Sequence, residues 1–317
     1  MSNKEYRPTL AQLRTFVTIA ENKHFGTAAQ KLNISQPSLS QALVALETGL
    51  GVQLIERSTR KVIVTAIGET LLPFAKNTLE AAAAFLNRSR GAGGELTGPL
   101  TIGMIPTIAP YLLPTLLPRL REHCPQLSPS VVEDKTKHLL TMLREGQIDL
   151  ALMALPSEAS GMVDLPLYTE EFVVVVPENH PLAGAHNLDL DVLDKLDLLL
   201  LDEGHCLHDQ IIDLCRRAEI NPSKAAHAVT RASSLTTLMQ LVSAGFGATL
   251  LPMSAVDAEC HRTGVATATF GPIVRADREI GLVYRSSSSR AHEFEQIGRL
   301  MREAYDEASR PAEKLLA

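Results

Sequence analysis

The segment GHCLHDQIIDLC, Gly204 to Cys215, holds two thiols nine positions apart, and a thiol is the side chain that a mild oxidant converts reversibly. The positions after Cys206 (Gln210, Ile211, Ile212, Leu214) follow a helical pattern, which puts Cys206 near a helix N-terminus. There the helix dipole lowers a thiol's pKa and favours the thiolate, the form that a peroxide oxidises to a sulfenic acid. His205, if protonated, adds to that effect, whereas Asp202 and Glu203 oppose it.

Nine residues along one continuous helix amount to about 13.5 Å of rise and about 2.5 turns, so the two sulfurs fall on opposite faces. A disulfide requires Cα atoms within about 7 Å. If both cysteines share a helix when reduced, bonding them must unravel it, and oxidation becomes a change of shape. Closing so short a loop contributes roughly 3 kcal/mol on chain-entropy reasoning, set against the strain of refolding. Two other readings stay open on the residues alone. One is a pair of inert buried thiols. The other is a zinc site from His205, Cys206, His208 and Cys215, whose spacing matches no common structural zinc pattern.

The elements that must hold these thiols alternate from Leu96 onward. Strands read at Leu100–Ile105, Val131–Glu133, Leu150–Ala154, Phe172–Val176, Leu198–Leu201, Ala228–Arg231, Ala248–Leu251 and Ile280–Tyr284. Helices read near Tyr111–His123, His138–Arg144, Asp209–Ala218, Leu235–Ala244 and Arg290–Ala308. Such alternation predicts parallel α/β sheets, and more than 200 residues of it predict two lobes with a cleft between them.

Residues 9–65 read differently. Thr9 is a candidate N-cap for a helix with Leu13, Phe16, Val17 and Ala20 on one face. A short helix over Gly26–Leu32, a turn at Asn33-Ile34-Ser35 and a helix carrying Leu39, Leu43, Leu46 and Leu50 fit a helix-turn-helix. Leu32 and Ile34 would bury the turn, and Pro37 sits in a first turn, where its missing N–H costs nothing. Ser38, Ser40 and Gln41 then stand at the outer, N-terminal end, where a recognition helix meets base edges and Gln pairs with adenine. Residues 53–65 read as a small hairpin whose Arg57, Arg60 and Lys61 can grip phosphates as a wing does.

Residues 66–90 form one longer helical pattern. Its stripe of Leu72, Ala75, Leu79, Ala82 and Leu86 would be wet on a lone helix and so reads as a dimer seam; Gly91–Gly94 makes a hinge. The expected domains are therefore 1–65, 66–94 and 95–317.

Charge supports a polyanion partner for the first part only. Residues 1–62 hold eight basic and four acidic side chains, while the remainder holds 22 basic and 32 acidic, within a net −6. The first ten residues lack an apolar signal core, and no stretch approaches the roughly 18 apolar residues of a membrane span. A cytoplasmic protein with reduced thiols and no membrane partner is expected.

The run Leu10–Thr65 resembles the LysR-type regulators. It carries SQPSLS at Ser35–Ser40, LE at Leu46-Glu47 and LGVQLIERSTRKVIVTAIG at Leu50–Gly68. The resemblance extends over essentially the whole chain. It implies an N-terminal winged helix-turn-helix with a linker helix, and a two-lobed, periplasmic-binding-protein-like effector domain. It also implies double-stranded DNA as a partner, touched by Ser35, Gln36, Pro37, Ser38, Ser40, Gln41, Arg57, Arg60 and Lys61. A homo-oligomer built as a dimer of dimers, with RNA polymerase as a further partner, follows from it too.

GHCLHDQ with a second cysteine nine positions on, IGMIPTIAPYLLP at Ile102–Pro114 and IGLVYR at Ile280–Arg285 look like the hydrogen peroxide-sensing members of that family. That resemblance implies Cys206 as the peroxidatic thiol and Cys215 as the resolving thiol, reset by a thioredoxin- or glutaredoxin-type reductant, with no cofactor and no metal. It places Thr107, Thr136, His205, Asp209, Gln210 and Arg278 around the thiol, to bind peroxide or activate sulfur. His208 stands where relatives can carry a basic residue. Cys124 and Cys260 match no redox motif.

Three alternatives are weighed against this. A LysR-type regulator of a small metabolite would carry bystander thiols. A thiol peroxidase would have no need of residues 9–90. A solute-binding protein fits the α/β half but would need a signal peptide.

Overall fold

The computed structural model describes residues 6–57, 62–90, 96–220, 232–261 and 263–316, with the side chains of residues 57, 80, 83, 84 and 86–90 left out. The chain forms two compact units, the first from its N-terminal third and the second from most of the rest.

In the first unit, α1 (Leu10–Asn22) starts at Thr9, whose hydroxyl accepts from the Gln12 amide while Gln12 reaches back to the Thr9 amide. Helix α2 (Phe25–Lys31) and helix α3 (Gln36–Leu50) follow. Phe16, Ile19, Ala28, Leu39, Leu43 and Leu46 form the core, each with at most 1% of its surface exposed. Ile34 does not bury the turn as expected: it is 41% exposed, and half-buried Leu32 does that work. Leu50, at the helix end, is also 39% exposed. The short strands β1 (Ile55–Arg57) and β2 (Val62–Val64) pair antiparallel. The wing tip, with Ser58, Thr59, Arg60 and Lys61, lies outside the described residues.

Helix α4 (Ala66–Arg90) covers the span read from sequence, yet Leu72, Ala75 and Leu79 of its stripe are not wet. Ala75, with Leu72 and Leu79 beside it, packs onto the core of its own unit against α1. The apolar side chains left in water are Ile67, Phe74 and Phe85, exposed 41%, 65% and 74%. Steps of seven and eleven residues bring these three to one face of a helix. The side chain of Leu86 and the hinge at Gly91–Gly94 lie outside the described residues.

In the second unit, one first-lobe layer is built on β3 (Gly98–Met104), β4 (Leu127–Glu133), β5 (Leu150–Ala154) and β9 (Asp277–Arg285), with α5 (Ala109–His123) and α6 (Thr136–Arg144) against it. The second lobe holds a short 3-10 segment (Leu190–Lys195), α7 (Cys206–Arg217), α8 (Leu235–Ser243), β7 (Thr249–Pro252), α9 (Met253–Cys260) and β8 (Val265–Thr269). Strand β6 (Met162–Pro177) serves both: as far as Glu171 it pairs with β9, and from Phe172 with β7 and β8. Each lobe has its own core, and helix α10 (Ala291–Leu316) contributes Phe294, Ile297, Met301 and Ala304 to one and Ala312 to the other.

The sheets are mixed rather than parallel. Only the pairings of β3 with β4 and β5 are parallel; β9 with β5, and β6 with β7, β8 and β9, are antiparallel. The long strands β6 and β9 run between lobes in opposite directions, so no βαβ crossover links them. Leu198 and Leu201 make isolated bridges to Ala248 and Ala232 instead of a strand, and Ala228–Arg231 lies outside the described residues. The last helix continues beyond Ala308 to Leu316.

Candidate functional site

Three helices begin around one cleft. Its walls are Ile105, Pro106 and Thr107 from the turn before α5, Lys135 and Thr136 at the start of α6, and His205 and Cys206 at the start of α7. Thr107 follows β3 and Lys135 follows β4, so the cleft lies beyond strand C-termini, where open α/β sheets bind ligands. Each helix start carries a partial positive charge. Gly204, at φ 90°, makes the turn that delivers His205 and Cys206, in a region where a Cβ would be strained. The empty space is only about 150 Å³, far below what a metabolite fills.

Behind the thiol sits a buried ionic cluster. Arg278, 3% exposed, donates from Nη1 to Thr107 Oγ1 at 2.9 Å and from Nη2 to the Thr107 carbonyl at 3.2 Å. Its Nε donates to Glu170 Oε2 at 2.8 Å, with Nη2 2.6 Å from the same oxygen. Since the Thr107 oxygen accepts from Arg278, its own hydrogen is free to point toward Cys206, whose thiol pKa the Thr107 hydroxyl lowers.

Burial pushes the Cys206 thiol above its ordinary pKa; Arg278, the Thr107 hydroxyl and the Leu207 amide pull it down, and Asp209 pushes it up. Burial outweighs the helix-start effect expected from sequence. His205 does not supply a cation either. It is 4% exposed, and burial, reinforced by Lys135, lowers its pKa against the pull of Asp202.

Cys215 lies 1% exposed in the second-lobe core, whereas partly buried Cys206 packs against the first-lobe core. Both are unbonded, and burial also raises the Cys215 thiol. Two thiols facing different cores cannot share one ion, so the tetrad of His205, Cys206, His208 and Cys215 does not converge. Among the described residues no cluster of three or more His, Cys, Asp or Glu side chains is placed to hold a metal.

Of the residues expected around Cys206, Thr107, Thr136 and His205 line the cleft and Arg278 stands behind it. Thr136 Oγ1, both ring nitrogens of His205 and Gln210 Oε1 are buried without a hydrogen-bond partner among the described residues. Asp209 departs from expectation. Its carboxylate is 72% exposed and 2.9 Å from His208 Nδ1, and its charge acts against the thiolate. Gln210 sits one turn beyond Cys206 on the same side of α7, while Asp209 falls toward water.

On the recognition helix, Ser35, Gln36, Pro37, Ser38 and Gln41 are exposed and Ser40 is half-buried. Ser35 is the N-cap, accepting from the Ser38 amide at 3.2 Å. Arg57 ends β1; Arg60 and Lys61 lie outside the described residues.

Sequence reasoning missed Glu170, Ser254, Lys135 and the anchoring role of Glu47. Glu47 Oε1 accepts from the Leu54 and Ile55 amides at 2.8 and 3.0 Å, tying α3 to the wing. Glu170 hides in the run TEEFVVVV, and only its register opposite Arg278 shows where it belongs.

Both parts of the chain match described families. Residues 10–69 match the bacterial regulatory helix-turn-helix protein, lysR family, and residues 93–306 match the LysR substrate binding domain. A protein of Mycobacterium leprae described as a probable hydrogen peroxide-inducible genes activator is 48% identical over 303 residues, 96% of each chain. The DNA-binding transcriptional dual regulator OxyR of Escherichia coli is 37% identical over 299 residues, 94% of this chain and 96% of that one. A solved structure of the H2O2-bound C206S mutant of Corynebacterium glutamicum OxyR is 67% identical, with TM-score 0.71, covering 98% of this chain and 97% of that one.

Proposed function

The chain belongs to the LysR family of bacterial regulators, and from that premise we propose that it is a hydrogen peroxide-sensing, DNA-binding transcription regulator. The observation that carries this reading is Cys206 at the start of α7, in a cleft too small for a metabolite, with Cys215 buried on the opposite side of the same helix. Relatives described as hydrogen peroxide-inducible activators support it.

Peroxide brings two O–H donors and two acceptor oxygens to the unpaired polar atoms of Thr136, His205 and Gln210, each of which costs about 1–3 kcal/mol while unsatisfied. The Cys206 thiolate attacks one oxygen, the O–O bond breaks, and hydroxide leaves to be protonated to water. Cys206 is then a sulfenic acid. The Thr107 hydroxyl and Arg278 hold the sulfur's negative charge before attack. For the second step α7 must open. The Cys215 sulfur displaces the sulfenic oxygen as water and an S–S bond forms, so two thiols and one peroxide give one disulfide and two waters. A thioredoxin- or glutaredoxin-type dithiol returns the two electrons.

Gln41, Ser38 and Ser40 read base edges of double-stranded DNA, while Ser35, Gln36 and Pro37 set the helix start and Arg57, Arg60 and Lys61 grip phosphates. Ile67, Phe74 and Phe85 of α4 form the dimer seam, roughly a third of a turn around the helix from the stripe first read from sequence. Two such dimers make the tetramer, which contacts RNA polymerase in the cytoplasm; peroxide is a signal here and not an enzyme's substrate. No helix among the described residues is long and apolar enough to cross a membrane.

A promoter footprint with and without peroxide tests this reading. The wild-type footprint is expected to change, and that of Cys206→Ser to stay fixed in its reduced pattern. A Cys206→Ser protein that still responds would overturn it in favour of a small-molecule effector.

A further inference from the structure

We propose that Glu170 is a positioning residue that sets the oxidant threshold of Cys206, holding Arg278 in register and neutralising its charge. The proposal rests on the reading of Cys206 as the peroxide-reactive thiol. Glu170 and Arg278 are opposite one another across β6 and β9, at the point where β6 leaves the first sheet for the second. Both side chains are 0% exposed. Every strong acceptor direction of the carboxylate is used. Oε2 takes the Arg278 guanidinium at 2.6 and 2.8 Å, and Oε1 takes the Ser254 amide at 3.0 Å and the Ser254 hydroxyl.

This anchoring fixes which guanidinium nitrogens remain. Nη1 and Nη2 go to Thr107 Oγ1 and the Thr107 carbonyl, and they thereby turn the Thr107 hydrogen toward sulfur. Glu170 thus acts on Cys206 in two opposed ways. Its hydrogen bonds aim the Arg278–Thr107 pair, which favours the thiolate. Its negative charge cancels much of Arg278's, which disfavours it. An uncompensated guanidinium beside the sulfur would lower the thiol's pKa and raise its reactivity toward peroxide at neutral pH.

The other charged and titratable groups around the thiol stay constant in the comparison. They are His205, His208, Asp209 and Asp202 on and before α7, Lys135 at the start of α6, and Tyr168 and Tyr305, stacked 3.8 Å apart beside Glu170 and Arg278. Ser254, at the start of α9, ties the carboxylate to the second lobe, whereas Thr107 belongs to the first. The pair is therefore clamped from both lobes.

The test is the pH profile of the second-order rate of Cys206 oxidation by hydrogen peroxide in full-length protein. Glu170→Gln keeps the shape and removes the charge. Its rate midpoint is expected to move down by about one pH unit, which makes oxidation roughly tenfold faster on the acidic side of the profile. Glu170→Asp keeps the charge but cannot span Ser254 and Arg278 together, so its midpoint is expected to rise and its rate at neutral pH to fall about threefold to tenfold, as a misaimed donor predicts. In an Arg278→Met background Glu170→Asp is expected to cost no further rate, because the aiming effect passes through the guanidinium. A merely structural role would lower rates without moving the midpoint of the Gln variant, and that result overturns the proposal. So does an unchanged Glu170→Asp rate, which decides the matter should the Gln variant fail to fold. If wild-type Cys206 is not oxidised at all, the peroxide reading itself has failed, and the two failures are distinct.

Discussion

Cys206 and Cys215 stand on one helix with their side chains in different cores, Cys206 against the first lobe and Cys215 inside the second. Their separation along α7 is about 13.5 Å, roughly twice what a disulfide tolerates between Cα atoms. The reduced fold therefore holds the two sulfurs apart, and a bond between them requires at least the first turns of α7 to give way. Removing Cys215 from its core forfeits its buried contacts, and the new bond must outweigh that loss.

This relationship separates oxidation from switching. In Cys215→Ser, Cys206 is expected to reach the sulfenic acid at close to the wild-type rate and to stop there, without loss of α7. Trapping with a sulfenate-specific dione and peptide mass measurement checks the first part; circular dichroism at 222 nm checks the second.

Thr107→Val keeps the side-chain shape and removes the hydroxyl. Arg278 Nη1 then loses its acceptor and Cys206 its donor, so oxidation is expected to slow by about tenfold to hundredfold, for a loss near 1–3 kcal/mol. Rapid-quench alkylation of the remaining thiol measures it. A rate within twofold of wild type would remove Thr107 from the mechanism.

The pH dependence follows from burial. Folding pushes both the Cys206 and the Cys215 thiol up, so the folded reduced state prefers the protonated form. Its stability is full below the ordinary thiol value near ~8.5 and declines as pH rises through the raised folded values. Melting temperature between pH 7 and pH 10 is expected to fall more steeply in wild type than in the Cys206→Ser, Cys215→Ser double variant. The same raised values mean that the peroxide rate climbs with pH across the neutral range and does not plateau below it.

At the DNA, two residues of the same helix-turn-helix are expected to behave differently. Ser35→Ala removes a helix cap and costs about 1 kcal/mol of folding stability. Gln41→Ala leaves the fold intact and loses about 1–3 kcal/mol of discrimination at one base pair. Denaturant titration and competition binding on operator variants tell them apart.

Phe74→Glu on α4 puts a charge into the exposed face shared with Ile67 and Phe85. Sedimentation velocity is expected to show dissociation to monomers, whereas Ala82→Glu, on the stripe read from sequence, should disturb the dimer less.

What the sequence revealed was local. Helix caps at Thr9 and Ser35, the period of Leu39, Leu43 and Leu46, and the helix after Cys206 depend on near neighbours along the chain, and all stand as read. Strand direction depends on distant partners, and a run such as VVVV reads as buried whichever way its neighbours point. For that reason the antiparallel β6–β9 crossing was missed, and with it Glu170. The resemblance implied Asp209 beside the thiol, whereas its carboxylate is 72% exposed and turned to His208. The α4 stripe misled for a related reason. Its apolar period was real, but Leu72, Ala75 and Leu79 pack on the core of their own unit, where α4 meets α1.

The most direct test of the central claim is to map the four cysteines of the reduced protein after one equivalent of hydrogen peroxide, by mass spectrometry of unreduced peptides. A Cys206–Cys215 disulfide is expected, with Cys124 and Cys260 still free. Cys206 and Cys215 both remaining reduced, in protein that still binds its promoter, would contradict it.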